Sequence, residues 1–147
     1  MVAKGPPTST DAAWTRLSGA LVGRWRATTA ENRTIGVAYR TISKGSALVE
    51  TFTSASGNET MTVMHRDGAG LMATHYCAQG NQARLRATET NADRVVFELL
   101  DVTNAGPEQS VMVKLVFQLR PDGFDQESTY RDTNGAMEAS TLHFVRE

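Results

Sequence analysis

The 147-residue chain contains one cysteine, Cys77. A single thiol allows no intrachain disulfide, so the core alone must hold the fold, and a reducing compartment is expected. Long apolar runs are missing: none approaches the roughly 18 residues of a membrane helix. A block of one charge is missing too. Fifteen Lys and Arg against sixteen Asp and Glu leave a formal charge of -1, and the basic residues are scattered, so neither nucleic acid nor an anionic membrane is an expected partner. Aromatic residues are 7% of the chain and do not gather on a basic strand, which excludes a stacking platform for single strands. There is no Gly-x-Ser-x-Gly elbow, phosphate loop or dinucleotide fingerprint. The opening Met1-Val2-Ala3-Lys4-Gly5-Pro6-Pro7 lacks the apolar stretch of a signal peptide, and a cytoplasmic location is expected.

What is present suits a globular protein, with 40% hydrophobic and 21% charged residues. Residues 1–9 are polar and small and read as a loose tail; residues 10–147 read as one domain. From Thr10 to Leu21 the pattern is helical: Thr10 or Asp11 can cap, and Trp14, Leu17 and Leu21 share one face. After Gly23, runs rich in Val, Thr, Phe and Tyr alternate with turn residues such as Lys44-Gly45, Gly80-Asn81, Asn91-Ala92, Asp122-Gly123 and Asn134-Gly135. These divide the chain into about ten strands. No connection is long enough for a crossover helix, so neighbouring strands should be antiparallel. An all-β, up-and-down antiparallel barrel with one short amino-terminal helix follows, since closure removes exposed edges. A two-sheet sandwich is the alternative.

Leu21-Val22-Gly23-Arg24-Trp25, behind a helix and opening the first strand, resembles the Gly-x-Trp signature of lipocalin-like (calycin) barrels. In that family the glycine permits a tight turn and the tryptophan plugs one barrel end. Thr74-His75-Tyr76-Cys77 with Gly80-Asn81-Gln82 and Arg84 resembles a group of uncharacterised bacterial lipocalin-like proteins. More distantly, the chain is similar to fatty-acid-binding barrels and nitrobindin-like barrels. The resemblance implies a cavity that encloses a small molecule. The later lipocalin motifs are not evident.

Hairpin parity carries the inward face from strand to strand. With Trp25 inward, Ile35, Val37 and Tyr39 follow, and a Lys44-Gly45 turn sets Tyr39 against Glu50. Glu50 is then an acid among apolar neighbours. Near the carboxyl end, a two-residue Asn134-Gly135 turn sets Tyr130 against Ala139, Ser128 against Thr141 and Gln126 against His143. Gln126, Ser128, Tyr130, Thr141 and His143 then line the interior beside Leu115, Phe117 and Leu119. Between residues 59 and 89 both faces stay open. One carries Met61, Val63, His65, Met72, Thr74, Tyr76, Leu85 and Ala87, and hydrophobicity favours it. The other carries Thr62, Met64, Arg66, Leu71, Ala73, His75, Cys77, Arg84 and Arg86.

Two functions use these residues. In the first, the barrel binds a small, largely apolar organic ligand through Tyr39, Tyr76, Arg84, Gln126, Tyr130 and His143. The resemblance to fatty-acid-binding barrels implies that Arg84 or Arg86, with Tyr39 and Tyr130, would grip a ligand carboxylate. In the second, a cofactor-independent isomerase, cyclase or hydrolase uses Glu50 as base with His65 or His75, or a tyrosine, as acid. Its counterpart is a Glu50 held by Tyr39 or an arginine and doing no chemistry. Whether the protein is an enzyme stays open. His75 and Cys77 are ligand types on one face, but a third metal ligand is not evident, so no metal is expected. No cofactor is expected either. The nitrobindin-like resemblance raises haem as a further reading, with His143 as its ligand. A homodimer is compatible with the sequence.

Overall fold

Short connections, five at one end and four at the other, would close ten strands into an up-and-down barrel, and the computed structural model, which describes residues 9–147, has that form. Helix α1 (Ser9–Leu21) precedes strands β1 (Gly23–Thr28), β2 (Thr34–Ile42), β3 (Ala47–Thr53), β4 (Glu59–Asp67), β5 (Gly70–Tyr76), β6 (Gln82–Thr90), β7 (Arg94–Thr103), β8 (Val111–Arg120), β9 (Gly123–Arg131) and β10 (Met137–Arg146). Each strand pairs with its sequence neighbours, all antiparallel, and β10 closes on β1 through Trp25 opposite Arg146. This is the expected all-β meander barrel and not the sandwich. The expected tail at residues 1–9 lies outside the described residues except for Ser9, which opens the helix.

Odd-to-even connections gather at one barrel end, and α1 with the even-to-odd connections at the other. The helix seals its end with its apolar face: Trp14, Leu17 and Leu21 are buried. The periphery is polar. Thr10 donates its hydroxyl to the Ala69 carbonyl at 2.5 Å, Arg16 pairs with Asp93 at 2.5 Å, and Arg66 pairs with Asp11 at 2.5 Å. Such half-exposed pairs contribute about 0–1 kcal/mol each, so the docking energy comes from the apolar face.

Trp25 sits under this helix. It is 4% exposed, its Nε1–H donates to the Leu21 carbonyl at 2.7 Å, and its ring meets Phe124 edge to face at 5.1 Å. The Arg146 guanidinium lies 4.2 Å from its centroid, where a cation is attracted to the π-face. Gly23 has φ +136°, and a Cβ there would stand 2.2 Å from Arg146 Nη1. Both residues of Gly-x-Trp therefore have a mechanical reason. Phe124 in turn stacks on Phe144 at 5.1 Å and meets the Tyr39 ring at 5.8 Å. This aromatic cluster fills the helix half of the barrel.

At the other end four hairpins share one loop design. Three residues connect Thr29 to Arg33, Ser54 to Asn58, Cys77 to Asn81 and Asp132 to Ala136, with a backbone bond closing each. The third loop residue is left-handed: Asn32, Gly57, Gly80 and Gly135 have φ of 61°, 87°, 95° and 82°. In three of these hairpins the side chain of the residue leading into the loop accepts from the backbone. Thr29 Oγ1 and Ser54 Oγ each take the amide four residues on at 3.1 Å, and Asp132 Oδ1 takes those of Asn134 and Ala136 at 2.9 Å.

This loop design corrects two expectations about register. A three-residue loop pairs Arg131 with Met137, so Gln126 faces Leu142, Ser128 faces Ser140 and Tyr130 faces Glu138. The two-residue turn expected at Asn134-Gly135 was one residue too short, and a one-residue slip turns every β10 side chain to the other face. Thr141 and His143 therefore point out, and Leu142 and Phe144 take their place. In the middle of the chain the structure divides the two faces between strands. The loop at 55–57 sets Glu50 opposite Thr62, and the loop at 78–80 sets His75 opposite Ala83. Thr62, Met64, Leu71, Ala73 and His75 are buried on β4 and β5, but on β6 it is Ala83 and Leu85. The face favoured by hydrophobicity is thus inward on β6 and outward on β4 and β5.

Candidate functional site

Above the aromatic cluster the barrel interior becomes polar. Glu50 stands at the centre of β3 and is 2% exposed. Period-two parity with Leu48 and Phe52 forces it inward. Its Oε2 accepts from the Tyr39 hydroxyl on β2 and from Gln126 Nε2 on β9 at 3.3 Å, and the Thr62 hydroxyl on β4 is a third donor. Thr62 Oγ1 also lies 2.9 Å from His75 Nδ1 on β5, and His75 Nε2 lies 3.4 Å from the Tyr130 hydroxyl on β9. Polar side chains from five strands thus form one chain: Tyr39 and Gln126 to Glu50, then Thr62, His75 and Tyr130.

Burial sets the charges. It pushes the Glu50 carboxyl up to about 7, against the opposing pull of hydrogen bonds from Tyr39, Gln126 and Thr62. It brings His75 down to about 4, so the imidazole is neutral at pH 7. Both tyrosines are held above their ordinary value, Tyr39 by burial and by the adjacent Glu50, Tyr130 chiefly by burial. The charge on Glu50 also fixes the histidine tautomer. An ionised Glu50 can only accept, so Thr62 spends its one proton on it and must accept from His75 Nδ1–H. Nε2 is then left as an acceptor facing Tyr130.

A cavity of about 390 Å³ lies over this chain and reaches the mouth loops. Glu50, Gln126, His75, Tyr130 and Ser128 form its inner surface, Phe52 and Met112 add apolar wall, and Ser54, Asn58, Cys77 and Gln79 stand at the rim. The rim is braced. Asn81 is fully buried and its Nδ2 donates to Gln109 Oε1 at 2.9 Å and to the Ser110 carbonyl at 3.2 Å, and Gln79 Oε1 accepts from the Ser110 amide at 2.9 Å. The segment from His75 to Asn81 thus supplies an inner residue, a rim thiol, a left-handed glycine and a brace in seven residues.

The structure brings together Tyr39, Glu50, His75, Gln126 and Tyr130 of the expected set and separates the other four. Arg84 lies on the outer face and pairs with Asp101 at 2.5 Å, and Arg86 pairs there with Asp67 at 2.8 Å. Tyr76 is 47% exposed. His65 is exposed, with Nδ1 at 2.8 Å from the Arg66 carbonyl. His143 lies outside between Asp125 and Asp122, at 2.6 and 3.1 Å. The β10 register removes it from the interior, and with it the placement on which the haem reading stood. Among the described residues no group of three or more His, Cys, Asp and Glu could hold a metal ion.

Sequence reasoning passed over Thr62, the link between Glu50 and His75, and the rim residues. A signal was available: a hydroxyl or carboxylate residue, two positions, then Gly or Asn marks each three-residue loop except the one led by Cys77. Reading those loops as three residues gives the parity that turns Thr62 and His75 inward. The fold and site define a closed ten-stranded antiparallel barrel with a polar cavity, compatible with a lipocalin-like fold. Compared with known proteins, the chain matches no family model and no curated sequence, so the functional reading rests on this geometry. No helix among the described residues is long and apolar enough to cross a membrane.

Proposed function

We propose that the protein is a lipocalin-like binder of a small, largely apolar organic molecule, held in the cavity between the aromatic cluster and the mouth loops. The observation that carries this reading is a cavity of about 390 Å³ whose inner end is polar and whose walls include Phe52, Met112 and the Tyr130 ring. A barrel needing only stability would fill this volume with side chains, as it does around Phe124. Ligand hydrogen bonds would go to Gln126, His75 and Tyr130. The test is fluorescence titration with the uncharged probe N-phenylnaphthylamine on wild type and on Ser128→Trp, which fills the cavity. Saturable binding by wild type that Ser128→Trp abolishes is the expected result. No saturable binding, or binding that the filled variant retains, contradicts the reading. Native mass spectrometry of the purified protein would then identify what it carries.

A second reading, cofactor-independent acid/base catalysis, is favoured by the Glu50–Thr62–His75–Tyr130 chain. A carboxyl with a pKa of about 7 is matched to proton exchange at neutral pH. Glu50 would serve as base and Tyr130, which itself lines the cavity, as acid. For an uncharged ligand, Glu50→Gln should leave affinity within a few-fold and abolish turnover. If wild type turns over no ligand that it binds, the protein is a binder alone.

A further inference from the structure

We propose, building on the binding reading, that the cavity selects ligands whose apolar body carries a basic amine and rejects carboxylates. Three observations point there. First, among the described residues Glu50 is the only Lys, Arg, Asp or Glu in the cavity lining. Second, among the described residues nothing around Glu50 supplies a positive charge. Tyr39 faces it from β2, Thr62 from β4 and Gln126 from β9, with the neutral His75 and Tyr130 beyond. The arginines of the surrounding strands are turned outward: Arg40 on β2 and Arg131 on β9 are exposed, and Arg66 pairs with Asp11, Arg84 with Asp101, Arg86 with Asp67 and Arg120 with Asp125. A buried carboxylate without a cation is costly, and a ligand ammonium supplies the missing partner. Third, the other inner groups offer acceptors: Gln126 Oε1 and the Tyr130 oxygen, whose own proton faces His75 Nε2. An ammonium has three donors and no acceptor, so it complements this set, whereas a carboxylate would meet Glu50 with like charge and find no cation.

The same geometry couples binding to protons. Glu50 has its pKa at about 7, so at lower pH the amine must displace a proton before it gains the carboxylate. Amine affinity therefore rises with pH through this range, while that of an uncharged ligand stays flat.

The experiment compares naphthylmethylamine, naphthylmethanol and naphthoate, three molecules with one bicyclic apolar body, by calorimetric titration of the full chain. The expected order is amine, then alcohol, then carboxylate, with the amine ahead of the alcohol by roughly tenfold or more above pH 7. In Glu50→Gln the amine-to-alcohol affinity ratio should fall to within a few-fold and lose its pH dependence. In wild type, the amine-to-alcohol ratio should grow between about pH 5.5 and about pH 8, following Glu50 ionisation near 7. This second arm needs no variant. If naphthoate binds as tightly as the amine, or the ratio ignores both pH and Glu50→Gln, the cavity is a binding site but the amine preference is wrong. If none of the three binds saturably, the binding reading fails with it.

Discussion

At the helix end of the barrel, Trp25, Phe124 and Phe144 pack ring on ring, and the one polar atom of the three, the indole Nε1, is spent on a backbone carbonyl. At the mouth end β3, β5 and β9 present Glu50, His75, Gln126 and Tyr130 to open space. The pattern of alternation is identical in both halves; only the identity of the inward residues differs. The helix end supplies the stability that lets the mouth end bury an acid without a cation, a division expected where function is carried at some cost to folding.

The largest effect should come from breaking the apolar end. Trp25→Ala removes a buried aromatic and should cost about 3–5 kcal/mol, enough to unfold a marginal domain. Thermal melts check this, and a melting temperature within a degree or two of wild type would contradict the packing described for the indole.

Next come the two buried titratable groups, whose pH signatures have opposite sign. Glu50 is raised from 4.5 to about 7, so the folded state holds the proton more tightly. Its contribution to stability is present below pH 4.5 and is lost as pH rises through 7, about 3 kcal/mol in all. His75 is lowered from 6.5 to about 4, so its contribution is present above pH 6.5 and lost as pH falls through 4. Across the overlap the two slopes cancel in wild type. Glu50→Gln should therefore gain stability relative to wild type on going from about pH 4.5 to about pH 8, by about 3 kcal/mol. His75→Asn should gain relative to wild type in the opposite direction, on acidification. Urea unfolding across pH measures both, and parallel curves for wild type and variants would contradict the burial of these groups.

The smallest effect sharpens the contrast between inside and outside. Arg84→Ala removes a half-exposed ion pair, should leave the urea unfolding midpoint nearly where it is, and should leave affinity for an uncharged probe unchanged. A large loss of probe binding would mean that Arg84 reaches the ligand after all.

The barrel and the Tyr39–Glu50 opposition were legible in the sequence, because strand runs are separated by turn residues and the first hairpins leave one parity. The site was half legible. Glu50, Gln126 and Tyr130 followed from parity, but His143 was assigned to the interior because its hairpin was read with the wrong loop length, and Arg84 was a ligand contact only on the resemblance to fatty-acid-binding barrels, with the face of residues 59–89 left open. Period two makes that error binary: Asn134-Gly135 read as two residues instead of the last two of three moves a histidine from surface to core. The Thr62–His75 link was hidden for the same reason. Arg84 carried a second trap, since arginine suits both a ligand carboxylate and a cross-strand Asp101, and only the register decides.

The central claim is that Glu50 is a buried carboxyl, without a cation, that titrates near neutrality. Infrared difference titration of wild type against Glu50→Gln follows it directly, because the variant cancels every other carboxyl. The account predicts a protonated carboxylic-acid band, present in wild type and absent from the variant, that disappears with a midpoint at about 7. A difference spectrum showing Glu50 already ionised at its ordinary value of 4.5 would contradict it.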